Sequence, residues 1–254
     1  MHTLNDNFLK SIPVERIVKL ENYNIEIPLK YKCKAINLIF SISSERAKSL
    51  LKKTNYLPYL LTPRRSLIAL TLFDYYMSPV GPYKELSLSL IVHKNKYNYP
   101  FMPLFIDFAT NKLTFYVINL LQNKKIAIDH GNLITGYPHY NKLIDLSFSK
   151  DNNYTFFAEV EEGGKKILEL KSNIGKRKKI ATNHYRTIFE NKHKLFEIKM
   201  SVKALSSMCK SSYVQLGEHE IANFLSTLKI NKRALYCQYY WDAMEILFSP
   251  KSIL

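Results

Sequence analysis

Glycine and linker segments are scarce in this sequence. The chain has 254 residues and 7 glycines, and no internal repeat, low-complexity tract or Pro/Ser-rich linker divides it. A low glycine content indicates that helices and strands follow one another closely, with few flexible connections between them. A length of this order is compatible with one mainly β domain. We therefore expect a single domain over residues 1–254.

Cysteines and long apolar runs are also few. Cys33, Cys209 and Cys237 are odd in number, widely spaced and without a CxxC pair, and no HxxxH or HxH spacing occurs. The sequence predicts neither a disulfide framework nor a metal site, and it contains no motif for a cofactor. No apolar run approaches the roughly 18 residues that cross a bilayer. The N-terminal segment lacks the features of a secretory signal, so we expect a cytoplasmic protein with reduced thiols and no transmembrane segment.

Acidic residues are outnumbered. The chain has 37 Lys+Arg against 21 Asp+Glu, a net charge of +16. Such an excess can attract nucleic acid or an anionic membrane, and a non-catalytic basic protein of this kind is one alternative. The lysines are spread through every segment, however, and the densest cluster, Gly175 to Lys179, is interpreted as a solvated loop. Scattered charge of this type does not favour nucleic-acid binding.

Apolar and aromatic residues are plentiful, at 46% and 13% of the chain, which is enough for a sizeable core. Lys34 to Ser43 has the apolar, β-branched composition of a buried strand, and Ser43 or Ser44 can cap a following helix. Ser66 to Met77 and the alternating segment Glu85 to Val92 are separated by a turn, so they predict an antiparallel pair.

The β pattern continues towards the C-terminus. We predict strands over Lys112 to Leu121 and over Lys125 to Pro138, and Gly163-Gly164 indicates a hairpin. Glu218 to Ile230 has apolar residues at helical spacing, which predicts a short amphipathic helix. The fold class is therefore α+β, and a curled or closed sheet would avoid exposed edges and form a pocket at its mouth.

The order of four landmarks resembles the acetoacetate decarboxylase family. They are NLIFSISSERAKSLL (37–51), GPYKE (81–85), HGNLITGYP (130–138) and LGEHEIANFLSTLKI (216–230), and the resemblance covers about residues 30–250. It implies a curled, cone-like antiparallel β-barrel with a few short flanking helices around a small pocket. It also implies a small oxo acid or related carbonyl compound as ligand, and assembly into homo-oligomers.

The resemblance implies a lysine nucleophile immediately after the aromatic-Pro pair, here Tyr137-Pro138. In this chain His139 and Tyr140 occupy those positions. An imidazole has no NH2 group, so it cannot form the imine that accepts electrons when carbon dioxide leaves. Glu85 matches the family's glutamate after the turn. We therefore expect the fold to be kept while decarboxylation through a Schiff base is lost.

Lys142 offers an alternative. If the loop bulges by a few residues relative to the family, Lys142-Leu143 could take the place of the usual Lys-Leu pair. The protein would then be an active decarboxylase, a lyase that uses Lys142 as its Schiff-base lysine. The ungapped match is preferred because it also aligns the next strand, LIDLSFS.

Two further candidates could transfer protons if the protein is an enzyme. His139 could be a general acid or base, or a pocket wall. Glu85 could be a buried acid that pairs with His139, or the outward polar residue at the start of a strand. The residues expected to bind the substrate are Tyr75, Tyr83, Gly136, Tyr137 and Pro138.

Overall fold

The structure, a computed structural model, describes residues 4–94, 100–101, 104, 106–107, 110 and 113–253. In this part of the chain the helices are α1 Asn7–Lys10, α2 Ser44–Leu50, α3 Lys125–Ile134 and α4 Glu220–Thr227. The strands are β1 Arg16–Leu20, β2 Tyr23–Ile27, β3 Leu29–Ser43, β4 Leu57–Pro58, β5 Leu60–Thr62, β6 Arg65–Met77, β7 Tyr83–His93, β8 Thr114–Gln122, β9 Asp145–Lys150, β10 Thr155–Glu162, β11 Lys165–Ile174, β12 Lys179–Asn191, β13 Lys194–Leu216, β14 Tyr236–Leu247 and β15 Lys251–Ser252.

Seven of the strands form a closed ring. Their order is β12-β8-β7-β6-β3-β14-β13, and pairing of β12 with β13 closes it. The neighbours are antiparallel except β12 and β8, which run parallel. Strand β13 is long enough to pair with β12 through its first half and with β11 through its second, so β11, β10 and β9 extend the sheet beyond the ring. The predicted α+β class, with a curled sheet and short helices, is confirmed.

The predicted antiparallel pair is confirmed in strands β6 and β7. Leu70 lies opposite Leu88 in their register, and both side chains are fully buried. At the end of β3 the Ser43 hydroxyl accepts a hydrogen bond from Arg46 N at 3.4 Å, which is the predicted helix cap. The Gly163-Gly164 turn between β10 and β11 and the helix α4 also follow the prediction.

The strand predicted within residues 125–138 is wrong, because most of this segment is the helix α3. Ala127, Gly131 and Ile134 are all buried on this helix. Their spacing of four and then three residues repeats at the helical period, so one face of the helix packs against the sheet. Short apolar runs leave strand and helix difficult to distinguish, and the Gly-Tyr-Pro turn that follows drew the interpretation towards a strand.

Two further points complete the comparison. Strand β8 begins at Thr114, and Lys112, the first residue of the strand predicted there, lies outside the described residues. Among the helices of the described ranges, none combines the length and the apolar character needed to span a membrane.

Candidate functional site

A small cavity lies inside the ring and has a volume of about 120 Å³. Every strand of the ring contributes side chains to it. Its lining consists of Ala35, Asn37, Ala69, Thr71, Phe73, Tyr75, Glu85, Ser87, Ser89, Phe115, Val117, Leu120, Tyr137, Tyr185, Thr187, Met200, Val202, Tyr240, Ala243, Glu245 and Leu247. A volume of this order suits a ligand of a few non-hydrogen atoms, since an apolar protein cavity of about 150 Å³ holds benzene.

Strand alternation explains which residues reach the cavity. Successive side chains of a strand point to opposite faces, so residues two apart share a face. On β7 the leucines at 86, 88 and 90 are fully buried in the main core, whereas Ser87 and Ser89 line the cavity. In the register Ser87 is opposite Thr71, and Thr71 is opposite Asn37, so three strands present a polar row to the interior. The polar face of these strands is therefore the cavity wall.

Glu85 is one of two carboxyl groups in this wall. The residue is 6% exposed, and Gln122 Nε2 donates a hydrogen bond to its Oε2 at 2.7 Å. Burial raises the pKa of Glu85 to about 7, because removal from water penalises the charged form; the Gln122 hydrogen bond opposes this shift and the nearby Glu245 adds to it. Of the two interpretations of Glu85, the buried acid is the one that matches this position.

Glu245 is the second carboxyl group, and sequence reasoning missed it. It is 4% exposed on β14, with Cys33 Sγ 3.6 Å from Oε1 and the Tyr75 hydroxyl 3.4 Å from Oε2. Burial raises its pKa to about 7, against the lowering effect of these hydrogen bonds. One signal was present in the sequence: Glu245 alternates with Ala243 and Leu247, so it lies on the same strand face as two apolar residues.

Three buried tyrosines surround these acids. Tyr75 and Tyr137 line the cavity, and Tyr83 packs on Tyr75 with ring centroids 4.7 Å apart. Burial raises the pKa of the Tyr75 and Tyr83 hydroxyls, so both stay neutral donors near pH 7. Tyr83 is thus not among the described lining residues of the cavity, and it packs behind Tyr75, which is.

Gly136 and Pro138 hold Tyr137 in place through their backbones. Gly136 has φ +72°, and its carbonyl accepts a hydrogen bond from Asn191 Nδ2 at 2.9 Å. The Pro138 carbonyl accepts from Leu120 N at 2.9 Å. A positive φ is the conformation that glycine adopts at least cost. These two predicted binding residues therefore fix the loop from which Tyr137 enters the cavity.

His139 lies away from the cavity lining and packs against α3. Its ring occupies the space that a Cβ at Gly131 would need, so the glycine is what admits it. Both ring nitrogens are buried without a hydrogen-bond partner among the described residues. Burial, together with the adjacent His130, lowers the pKa of His139 to about 4, so the ring is neutral near pH 7. The structure does not bring His139 and Glu85 into a hydrogen-bonded pair, since both His139 ring nitrogens lack a partner among the described residues and Glu85 bonds to Gln122.

Lys142 lies on the surface in a different cluster. Its side chain is 62% exposed, and Nζ is 2.9 Å from Glu162 Oε1. The Tyr140 hydroxyl also donates to Glu162, and His219 Nε2 lies 2.7 Å from the same carboxylate. Hydrogen bonds with Glu162 raise the pKa of Lys142, the opposite of what an imine-forming amine requires.

The same cluster contains three potential metal-ligating groups. Glu162, His219 and Glu220 place one ligand atom each within 4.8 Å of one another. Sequence spacing gave no indication of this, because Glu162 lies on β10 and the other two at the start of α4. His219 is the N-cap of this helix, where its Nδ1 accepts a hydrogen bond from Ile221 N at 3.1 Å. All three of these side chains thus already form hydrogen bonds with other groups of the protein.

Comparison with known proteins identifies the fold. No family model matches the chain, and no curated protein sequence matches it. Among solved structures, acetoacetate decarboxylase from Legionella pneumophila is 14% identical with a TM-score of 0.68, over 100% of this chain and 98% of that chain. An acetoacetate decarboxylase-like enzyme from Sphingomonas wittichii is 12% identical with a TM-score of 0.56, over 89% and 93%. The enduracididine biosynthesis enzyme MppR, in complex with pyruvate, is 9% identical with a TM-score of 0.62, over 89% and 90%.

At these identities the likeness establishes the fold. The predicted acetoacetate-decarboxylase-like architecture is therefore confirmed, and it extends over nearly the full length of the solved structures compared.

The buried carboxyl groups predict how stability depends on pH. Glu245 ionises near pH 4.5 in an unfolded chain and near pH 7 in the folded protein. The stabilising contribution of the protonated Glu245 carboxyl group is therefore fully present below the pKa of the unfolded chain, and it is lost as pH rises through the pKa of the folded protein. Between these two pH values, ionisation of Glu245 should lower the free energy of unfolding by about 1.4 kcal/mol per pH unit. The side chain in Glu245→Gln cannot ionise, so we expect this part of the pH dependence to be absent from the variant.

Urea unfolding of the wild type and the variant across this pH range measures the difference. Glu26→Gln is the matched control, because Glu26 is exposed on β2. The buried-acid account is wrong if the free energy of unfolding falls equally steeply in all three proteins.

The contact between Gly131 and His139 predicts a coupled pair. Gly131→Ala should destabilise the protein by about 1–3 kcal/mol, because the new methyl group meets the imidazole ring. In a His139→Ala background the same change should cost little, since alanine favours a helix more than glycine does. A double-mutant cycle in urea measures the coupling. Equal destabilisation in both backgrounds would exclude this packing.

Proposed function

We propose that the chain is an acetoacetate-decarboxylase-like protein that binds a small oxo acid or related carbonyl compound in the cavity, without Schiff-base decarboxylation. The observation that carries the proposal is the composition of the cavity wall. Two buried carboxyl groups, Glu85 and Glu245, face the interior, and the described lining contains neither lysine nor arginine. The fold is one in which the solved complex of MppR holds pyruvate, which supports a ligand of this class.

Recognition would rest on hydrogen bonds from neutral groups. With pKa values of about 7, Glu85 and Glu245 carry protons in mildly acidic solution and can donate to a carbonyl or carboxylate oxygen. The buried hydroxyl of Tyr75 donates to Glu245 Oε2 at 3.4 Å and so helps to orient that acid. Hydrogen bonds of buried groups such as these two acids are stronger than those made in water.

The absence of an amine from the described lining argues against imine chemistry. A Schiff base needs a primary amine with a lowered pKa within reach of the substrate carbonyl. Lys142 has a raised pKa and an exposed side chain, and it lies in the Glu162 cluster. The decarboxylase alternative based on Lys142 therefore finds no support in its position.

If the protein turns its ligand over, the two acids are the best placed groups to do so. A carboxyl group that titrates near pH 7 can act as a general acid when protonated and as a general base when ionised. One of Glu85 and Glu245 would protonate the carbonyl oxygen while the other removes a proton from the neighbouring carbon, which gives an enol. His139 is less suited, because its pKa is about 4 and it lies outside the cavity lining.

Binding of an oxo acid should weaken as pH rises. Above about pH 7 the two acids ionise and repel the ligand's carboxylate, so the affinity for pyruvate should fall about tenfold per pH unit for each proton required. Glu85→Gln keeps an amide donor that cannot ionise. At about pH 8 this variant should bind pyruvate about tenfold more tightly than the wild type does.

Calorimetric titration with pyruvate at about pH 6 and about pH 8 tests this expectation. Glu26→Gln removes one surface charge and should behave as the wild type. No binding by the wild type at the lower pH would refute the proposed ligand class. A pH-independent affinity would refute the role of the acids.

The second test addresses the amine directly. Treatment with acetoacetate and sodium borohydride, followed by peptide mass spectrometry, should leave every lysine without an adduct. Reduction traps an imine as a stable secondary amine, so even a transient Schiff base is recorded. An adduct at Lys142 that disappears in Lys142→Arg would instead establish the decarboxylase alternative.

A further inference from the structure

Cys209 and Cys237 lie side by side on adjacent strands. Strands β13 and β14 are antiparallel, and Met208 pairs with Gln238. Cys209 follows Met208 and Cys237 precedes Gln238, so the two cysteines face each other one step beyond that pair. Their sulfur atoms are 2.6 Å apart, although the residues are 28 positions apart in the sequence. A disulfide bond is about 2.05 Å long and commonly joins Cα atoms at the separations found between paired strands. The two thiols are therefore already positioned for a bond.

We propose that Cys209 and Cys237 are a site of covalent oxidation, at which a small hydroperoxide closes an intramolecular disulfide between β13 and β14. Both thiols are free in the structure, which is the reduced form of the pair. The site is separate from the cavity, because neither cysteine belongs to its described lining. The inference consequently does not depend on the proposed function.

The surroundings of the pair suit this chemistry. Cys209 is partly exposed, whereas Cys237 is 5% exposed and lies 3.9 Å from Ser172 Oγ. Burial acts to raise the pKa of Cys237, but hydrogen bonds with Cys209 and nearby serines lower it overall. The same sulfur–sulfur hydrogen bond raises the pKa of Cys209. The pair therefore shares a proton and releases the other more readily than an isolated buried thiol would.

The oxidation balances without any further reactant. The proton that the ionised pair retains moves from Cys209 to Cys237, and the Cys209 thiolate, which the oxidant can reach, attacks the terminal oxygen of the hydroperoxide. The O–O bond breaks, the leaving alkoxide (or hydroxide, from hydrogen peroxide) takes up the proton released when the pair ionised and departs as an alcohol (or water), and Cys209 becomes a sulfenic acid. The Cys237 sulfur then attacks the sulfenic sulfur, the S–O bond breaks, and water leaves with the remaining proton. Two thiols are oxidised and one hydroperoxide is reduced.

Cys33 provides an internal comparison. It is fully buried beside Glu245, and burial raises the pKa of its thiol. Its sulfur lies 3.6 Å from a carboxylate oxygen, which disfavours a thiolate there. We expect Cys33 to stay reduced under conditions that oxidise the other pair.

The experiment uses the purified full chain treated with hydrogen peroxide or left reduced. After denaturation, the number of titratable thiols should fall from three to one. Tryptic digestion without reductant should yield residues 204–210 joined to residues 234–251, and the link should vanish on reduction. Cys33→Ser should still form the link, and Cys209→Ser should not. An unlinked pair, or a link that involves Cys33 or a second chain, would overturn the proposal.

Thermal unfolding supplies a second readout. Closing this bond constrains the unfolded chain, so the oxidised wild type should melt about 5 °C higher than the reduced form. Peroxide should not raise the melting temperature of Cys209→Ser, which can form no such bond. An equal rise in both proteins would assign the effect to another oxidation and would refute the site.

Discussion

The burial of two carboxyl groups inside a ring of strands is the constraint on which the site depends. Glu85 and Glu245 face a cavity whose described lining offers no cationic side chain. An ionised carboxylate in such a place costs several kcal/mol, so both groups hold their protons up to about pH 7. The interior is therefore a set of neutral hydrogen-bond donors. That chemistry underlies the proposed oxygen-bearing ligand, and it sets the pH range in which we expect stability to change.

The ring can hold polar groups because its strands have two different faces. The leucines of β7 form the main core on one side, and Ser87 and Ser89 point to the other side. An alternating pattern is usually interpreted as one buried face and one face in water. A closed ring gives a third outcome, in which the polar face surrounds an internal cavity. The hydrogen bond between Thr71 and Asn37, at 3.2 Å, shows how such a face satisfies its own polar groups.

Much of this fold could be predicted from the sequence because its signals are local. Alternation predicted β7, the glycine pair 163–164 predicted a hairpin, and a Ser43 cap predicted α2. Helix α3 could not be predicted in this way, since its ten residues carry a glycine and a pattern that is ambiguous at that length. Among the site residues, Glu85 and Tyr137 were found through the resemblance. Glu245 was missed because its significance depends on ring closure, which joins β14 to strands distant in sequence.

The position of His139 bears on how imine chemistry could be absent from such a fold. The side chain at residue 139 packs against Gly131 on α3, while Tyr137 occupies the cavity from the same loop. A lysine placed at 139 on this backbone would begin its path towards the helix, where His130 is also buried. On this backbone the direction of the side chain at 139 is thus set by the packing of its loop against helix α3.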